Sequence, residues 1–274
     1  MTAVAAGAAP DEAVPKAERR PRRMPIATLV TVALVLIFWQ LASSLAWVSP
    51  VFLPPPGKVL SAVGRLLTQG YVDATLVEHA WASLSRVLFA LFFTVLIGVP
   101  AGLAMGASRI GRGILDPIIE FVRPLPPLAY LPLVIIWFGI GEPAKILVIG
   151  LAMLAPIAIS TAAGIRSAPL SQINAARSFG ATRWQVLTQV LLPSALPEIL
   201  TGIRIALGAG WSTLVAAELV AASRGLGFMI ESAAQFLVTD IVIVGIFVIS
   251  ALAFVFEALL RLAERLFLPW ARHR

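Results

Sequence analysis

Charged side chains set in apolar runs are the first places where this chain could do chemistry. Glu218 lies between Ala216, Ala217, Leu219 and Val220. A charge near the centre of a membrane helix costs roughly 2.5–3.5 kcal/mol on insertion scales, so it needs a partner or a polar path. Glu218 therefore either faces a cavity near the outer end of its helix or pairs with an arginine of a neighbouring helix. Asp116, Glu120 and Arg123 fall at i, i+4 and i+7. They share a helical face, and Arg123 is expected to neutralise an acid one turn away. Glu257 and Arg261 have the same four-residue spacing and the same expected pairing. Trp211, Ser212 and Thr213 set an aromatic ring beside two hydroxyls, a lining suited to a small polar solute.

Enzyme chemistry finds no support in the residue set. Cysteine is absent and the two histidines are His79 and His273, which excludes disulfides, thiol nucleophiles and Cys/His zinc sites. No carboxylate pair or Ser-His-Asp set is suggested, so no catalytic residue, metal site or cofactor is assigned. The chain has 274 residues, 59% hydrophobic and 13% charged, with mean hydropathy +0.93. A soluble domain is about 25% charged, so the solvent here must be lipid. The net charge of +7 then reads as membrane topology rather than as a nucleic-acid surface.

Six stretches are apolar over lengths near the roughly 20 residues that a membrane helix needs. They run approximately from Ile26 to Ala46, Leu84 to Met105, Ile114 to Phe138, Ala144 to Ala163, Ile199 to Ala222 and Ile241 to Leu262. The fold class is thus an all-α membrane protein of six transmembrane helices. Residues 1–24 read as a disordered cytoplasmic tail, residues 25–270 as one transmembrane domain, and residues 271–274 as a second short tail. The third span contains Pro117, Pro124, Pro126, Pro127 and Pro132, so it must be kinked or partly unwound. Of the 21 Lys and Arg, 14 fall in the tails and even-numbered loops, which places both termini in the cytoplasm. Trp39, Trp47, Trp81, Trp137 and Trp270 lie near span ends, as interfacial anchors do. Gly98, Gly102 and Gly106, like Gly202, Ala206 and Gly210, form small-residue ridges that let helices approach closely, within one subunit or between two. In this frame Glu120, Arg123, Trp211, Ser212, Thr213 and Glu218 are the candidates for a polar path across the membrane.

The longest cytoplasmic loop, about residues 164–198, reads NAARSFGATRWQVLTQVLLP from Asn174 to Pro193. Gly180 can take the left-handed conformation that ends a helix. Thr182 and Gln185 have capping-box spacing, which starts another. The segment is expected to form a helix-turn-helix knob.

That segment resembles the EAA loop of permease subunits in bacterial ABC importers, in which E-A-A is followed by three residues, a glycine, nine residues and I-x-L-P. Ala175, Ala176, Gly180, Leu192 and Pro193 match in spacing, Val190 replaces the isoleucine, and Asn174 stands at the Glu position. The resemblance extends over roughly Val48 to Pro269, closest to the taurine permeases within the taurine, alkanesulfonate and nitrate group. It rests on SPVFLPPP (Ser49 to Pro56), GILDPIIEFVRPLPPLAYLPLVIIWFGIGE (Gly113 to Glu142) and GWSTLVAAELVAASRGLGFMI (Gly210 to Ile230). It implies a type I (MetI-like) importer permease fold in a bacterial inner membrane, working as a homodimer with two cytoplasmic ATPase subunits. A periplasmic or lipid-anchored binding protein would deliver a small anionic or zwitterionic substrate. Asn174, Ala175, Ala176, Arg177, Gly180, Ala181, Thr182, Arg183, Leu192 and Pro193 would form the ATPase-coupling loop. Permeases for alkanesulfonates, nitrate or pyrimidine precursors and an ion-coupled carrier are the alternatives.

ATP would bind the partner and not this chain. A phosphate-binding loop needs G-x-x-x-x-G-K-[ST]. The three lysines do not supply it: Lys16 and Lys145 follow alanine, and Lys58 precedes Val59 with Phe52 at the first glycine position.

Overall fold

The computed structural model describes residues 24–268, and every regular element in that range is helical. The elements are α1 (Met24–Ser44), α2 (Pro56–Thr68), α3 (Leu76–Ala107), α4 (Arg109–Val122), α5 (Pro127–Phe138) and α6 (Glu142–Arg166). They continue as α7 (Leu170–Ser178), α8 (Arg183–Val186), a π-helical turn (Leu187–Leu191), α9 (Leu192–Ala221), α10 (Leu226–Gln235) and α11 (Thr239–Phe267). The expected N-terminal tail before Met24, the C-terminal tail 271–274 and Trp270 lie outside the described residues.

Five helical stretches are long and apolar enough to cross a membrane, and α4 with α5 makes a sixth if the bent pair is one span. The expected third span is therefore two helices, bent by 102° at the break. Its cause is local, because Pro124 and Pro126 supply no backbone N–H at the junction and Pro127 starts α5. Other boundaries shift outward because helices outlast the apolar run. α3 begins at Leu76 rather than Leu84, started by a capping box in which the Thr75 N–H donates to Glu78 Oε2 at 2.7 Å. Hydropathy undercounts its first turns, where His79, Ser83 and Arg86 are polar yet buried. In the same way α6 runs on to Arg166 and α9 starts at Leu192, so the intervening loop is shorter than residues 164–198.

Two helices fell below the expected pattern. α2 buries Val59, Ala62 and Leu66 along one face, where they join Leu226 and Met229 of α10 with Ile241 and Val244 of α11. Arg65 then reaches Asp240 at 2.7 Å. α2 and α10 thus cover the end of the bundle opposite the knob.

Helices α3, α6 and α9 form the centre. Val87 and Ala90, Ile149, Met153 and Ile157, and Ala206, Leu207, Trp211 and Leu214 make one continuous core. Both glycine ridges are used inside the chain. A Cβ on Gly102 would stand 2.5 Å from the Ala158 carbonyl oxygen and from Thr161 Cβ, and one on Gly202 would stand 2.6 Å from Ser160 Cβ. Backbones this close gain dispersion contacts that larger residues would forbid.

Replacing Gly102 by Leu should therefore overpack the α3–α6 seam and cost about 1–3 kcal/mol. Gly64→Ala in α2, where the new methyl meets nothing within 4 Å, should leave stability equal or higher. Denaturant titration of the purified variants in detergent measures both.

Candidate functional site

Three constellations stand out: the knob, a cavity beside the broken span, and a buried polar cluster at the far end. The knob is built by local hydrogen bonds. α7 ends in a Schellman motif, with the Ala181 N–H donating to the Ala176 carbonyl at 3.0 Å and the Gly180 N–H to that of Arg177 at 2.9 Å. Gly180 sits at φ +80°, a left-handed conformation that glycine takes without a Cβ clash. Thr182 then opens α8 with the expected capping box, its N–H donating to Gln185 Oε1 at 2.8 Å. Asn174, Ala175 and Arg177 are exposed on α7, as are Gly180 in the turn and Thr182 and Arg183 after it, while Ala176 and Ala181 are half-buried. Leu192 and Pro193 begin α9 and are also half-buried. Phe179 is 93% exposed and Trp184 71%. Sequence reasoning gave these two rings no role, although large aromatics inside a polar turn are the signal that finds them. Large exposed rings on an otherwise polar turn mark a contact surface.

The cavity, of about 500 Å³, lies between the α4–α5 break, α6 and α9. Arg123, Ser212 and Thr213 line it, joined by Tyr130 and Ser160, and the remaining walls are apolar. Ile119 packs against Ala155 and Ala158, and Leu131 and Val134 against Ala144 and Val148. The break therefore faces the middle of α6, with Arg123, Pro124, Leu125 and Pro126 themselves exposed. Arg123 forms no ion pair with Glu120 or with any other carboxylate among the described residues. The expected pairing is corrected by the helix end: α4 stops at Val122, and Arg123 at its C-cap turns to the cavity. Glu120 is exposed on α4 outside the lining. Trp211 points the other way, 7% exposed, with its ring 6.3 Å from that of Phe256.

Glu218 belongs to the third constellation and is fully buried. It accepts from Ser83 Oγ at 2.8 Å, Arg86 Nη1 at 2.6 Å and the Gly227 N–H at 2.7 Å. Arg86 makes a bidentate pair with Glu142, at 2.6 and 2.7 Å, and donates to the Arg224 carbonyl at 2.7 Å. Lys145 reaches the same Glu142 at 2.8 Å. The charges balance, two acids against two bases. Ser83 also accepts the Leu226 N–H at 2.8 Å. His79 Nδ1 accepts the Gly225 N–H at 3.1 Å while Nε2 lies 2.9 Å from the Tyr71 carbonyl. That pair of partners requires the neutral tautomer protonated on Nε2. Gly225 has φ +139°, and a Cβ there would lie 2.5 Å from the Glu218 carboxylate. The cluster thus locks α3, α6 and α9 to the start of α10. Sequence reading gave Arg86 no role, because its partners Glu142 and Glu218 lie 56 and 132 residues away in the chain.

At the knob end, Glu257 accepts from Arg261 at 2.8 Å as its spacing predicts. Arg204 joins this strip from α9, 3.3 Å from Glu257 and 2.5 Å from Glu264. Among the described residues no group of three His, Cys, Asp or Glu is arranged to hold a metal ion.

Arg86→Met strands the buried Glu218 carboxylate and should destabilise the protein by about 3–5 kcal/mol, whereas Arg86→Met with Glu218→Leu, which leaves Glu142 to pair with the buried Lys145, should recover most of the loss. Denaturant unfolding of the single and double variants measures the difference.

A family model described as the inner-membrane component of binding-protein-dependent transport systems matches residues 94–268. The taurine transport system permease protein TauC of Escherichia coli (strain K12) is 58% identical over 244 residues, 88% of each chain. The putative aliphatic sulfonates transport permease protein SsuC of the same strain is 39% identical over 86% of this chain and 88% of its own. The bicarbonate transport system permease protein CmpB of Synechococcus elongatus is 35% identical, covering 78% of this chain and 79% of its own. An inward-facing structure of the MetNI methionine ABC transporter overlays at TM-score 0.57 and 23% identity, covering 68% of this chain and 94% of that chain, a likeness of fold alone. With the six apolar spans, the broken third one and the capped knob, these matches make the chain a member of the ABC importer permease family, the inner-membrane components of binding-protein-dependent transport systems, in the MetI-like fold.

Proposed function

We propose that the chain forms the translocation path of an ATP-driven importer for taurine or a closely related sulfonate. Energy enters through the knob, which a separate ATPase subunit grips. The observation that carries this reading is the knob itself: a rigid, doubly capped turn that exposes Phe179 and Trp184 to a partner's groove, with Arg177 and Arg183 beside them to meet acids there. A loose loop would absorb a push from a partner, whereas hydrogen-bonded caps transmit it. The substrate assignment is supported by the 58% identity to a taurine permease.

The assembly that follows is two copies of this chain, two cytoplasmic ATPase subunits and a binding protein outside the membrane. Both termini then lie in the cytoplasm, in keeping with the excess of Lys and Arg on that side. ATP binds the partner subunits, and this chain carries no cofactor and no catalytic residue. Closure of the ATPase pair swings α3, α6 and α9 together and exposes the cavity first to one side and then to the other. Arg123, Ser212 and Thr213 border that path. Glu218 acts at one remove, by holding the far ends of the moving helices together.

Reconstitution in proteoliposomes with the cognate ATPase and binding protein tests the reading. Uptake of taurine should require ATP, and ethanesulfonate should compete better than nitrate. Dependence on an ion gradient in place of ATP, or preference for nitrate, contradicts it. Gly180→Pro should lower both uptake and binding-protein-stimulated ATP hydrolysis by about tenfold or more, a loss of at least roughly 1.4 kcal/mol in coupling. If both activities survive that change, the knob is not where energy enters.

A further inference from the structure

The cavity beside the broken span carries a charge that no described residue neutralises. Arg123 is the single charged residue among those that line it, and among the described residues no carboxylate lies within ion-pair distance. Arg86 on α3 and Arg204 on α9 are by contrast both paired. Arg123 is exposed at the cavity and not sealed in the core, so its guanidinium is open to water or to an anion that enters there.

A second observation is independent of that charge. Threonine in a helix usually returns its hydroxyl to the carbonyl four residues back, and Thr94 and Thr161 do so at 2.7 Å. Thr213 is 5% exposed and its hydroxyl has no hydrogen-bond partner, although it borders the cavity. Tyr130 and Ser160 bring two further hydroxyls to the same walls. No acid does.

We infer that the cavity is an oxyanion site that reads the sulfonate head of the substrate and ignores its amine. The inference rests on the reading of the chain as a sulfonate permease and adds a site to it. A guanidinium fork and hydroxyl donors match a planar face of three sulfonate oxygens. A zwitterion's ammonium finds no carboxylate in the lining, so it stays hydrated. At about 500 Å³ the space falls within the usual range for small-ligand pockets and holds a small sulfonate with water around its tail. Selection by this chain is therefore for a small anionic head, and any discrimination of the tail occurs elsewhere in the assembly.

Binding of radiolabelled taurine to the permease–ATPase complex in lipid nanodiscs, with no binding protein present, tests the site. Saturable binding is expected, with ethanesulfonate competing within about threefold of taurine itself because the site has no group that holds the amine. Ethanolamine, which keeps the amine and lacks the sulfonate, should not compete. Arg123→Gln should weaken binding by roughly ten- to hundredfold, the loss of charge-assisted hydrogen bonds, and Arg123→Lys should restore only part of it. Thr213→Val, nearly the same shape, should weaken binding with an unchanged melting temperature, which separates a ligand role from a folding role. The inference is overturned if no ligand binds, if ethanolamine competes as well as ethanesulfonate, or if Arg123→Gln and Thr213→Val bind as the wild type does. ATP-driven uptake without such binding removes this site alone, and ethanesulfonate binding through Arg123 without any sulfonate uptake removes the transport reading alone.

Discussion

Arg86, held between Glu142 and Glu218, is the contact on which the far end of the bundle depends. Three helices and the start of a fourth meet there, and the Arg86 and Glu218 side chains at its centre are buried away from water. The physical constraint is severe, because one missing partner leaves a full charge in a medium of low dielectric constant. The neighbouring polar groups follow from it. Ser83 donates to Glu218 and accepts from Leu226, His79 takes a fixed tautomer, and Gly225 is glycine because a side chain would occupy the space of the Glu218 carboxylate. A cluster so fully satisfied fixes one arrangement and resists others.

The opposite end is built differently. There the chain spends its polar groups on a compact turn whose caps are local and whose aromatic side chains are left uncovered. Between the two ends runs the seam of α3, α6 and α9, where Gly102 and Gly202 bring backbones into close contact. A push applied at the knob thus reaches the far end through packed helices rather than through a hinge. The exception to this tight pairing is the broken span, where prolines end α4 and release Arg123 into open space. The far end meets its charges with partners inside the chain, whereas the break leaves Arg123 facing the cavity without one among the described residues.

The sequence was most informative where the determining interactions are local. The glycine at 180 and the Thr182–Gln185 box act over a few residues, and both form as their spacing predicts. So does the Glu257–Arg261 pair, and the proline run breaks the third span where the ring chemistry requires. Hydropathy also marked the spans, although it missed polar first turns that are buried and the one-sided helix α2. The far-end cluster was out of reach, since Arg86 and Glu218 stand 132 residues apart and a linear pattern does not say which faces meet. Arg123 shows the same limit from the other side: its spacing from Glu120 is right for a pair, but the helix ends between the expectation and the contact. Trp211, Ser212 and Thr213 are adjacent in sequence, yet helical geometry turns the ring into the core and leaves the hydroxyls at the cavity.

The central claim is that α3, α6 and α9 move as one body. The chain has no cysteine, so spin labels can be placed at will, and Phe89 on α3 and Val220 on α9 are exposed positions. With Phe89→Cys and Val220→Cys labelled in one copy of the assembled transporter, electron–electron resonance distances can be compared without nucleotide and with ATP trapped. The separation within the chain should change by less than about 2 Å, the scale of small helix adjustments, while the same positions in the two copies move relative to each other. A change of about 5 Å or more within the chain, the scale of one helical turn, would contradict a rigid body held by the glycine seam and the Arg86 cluster.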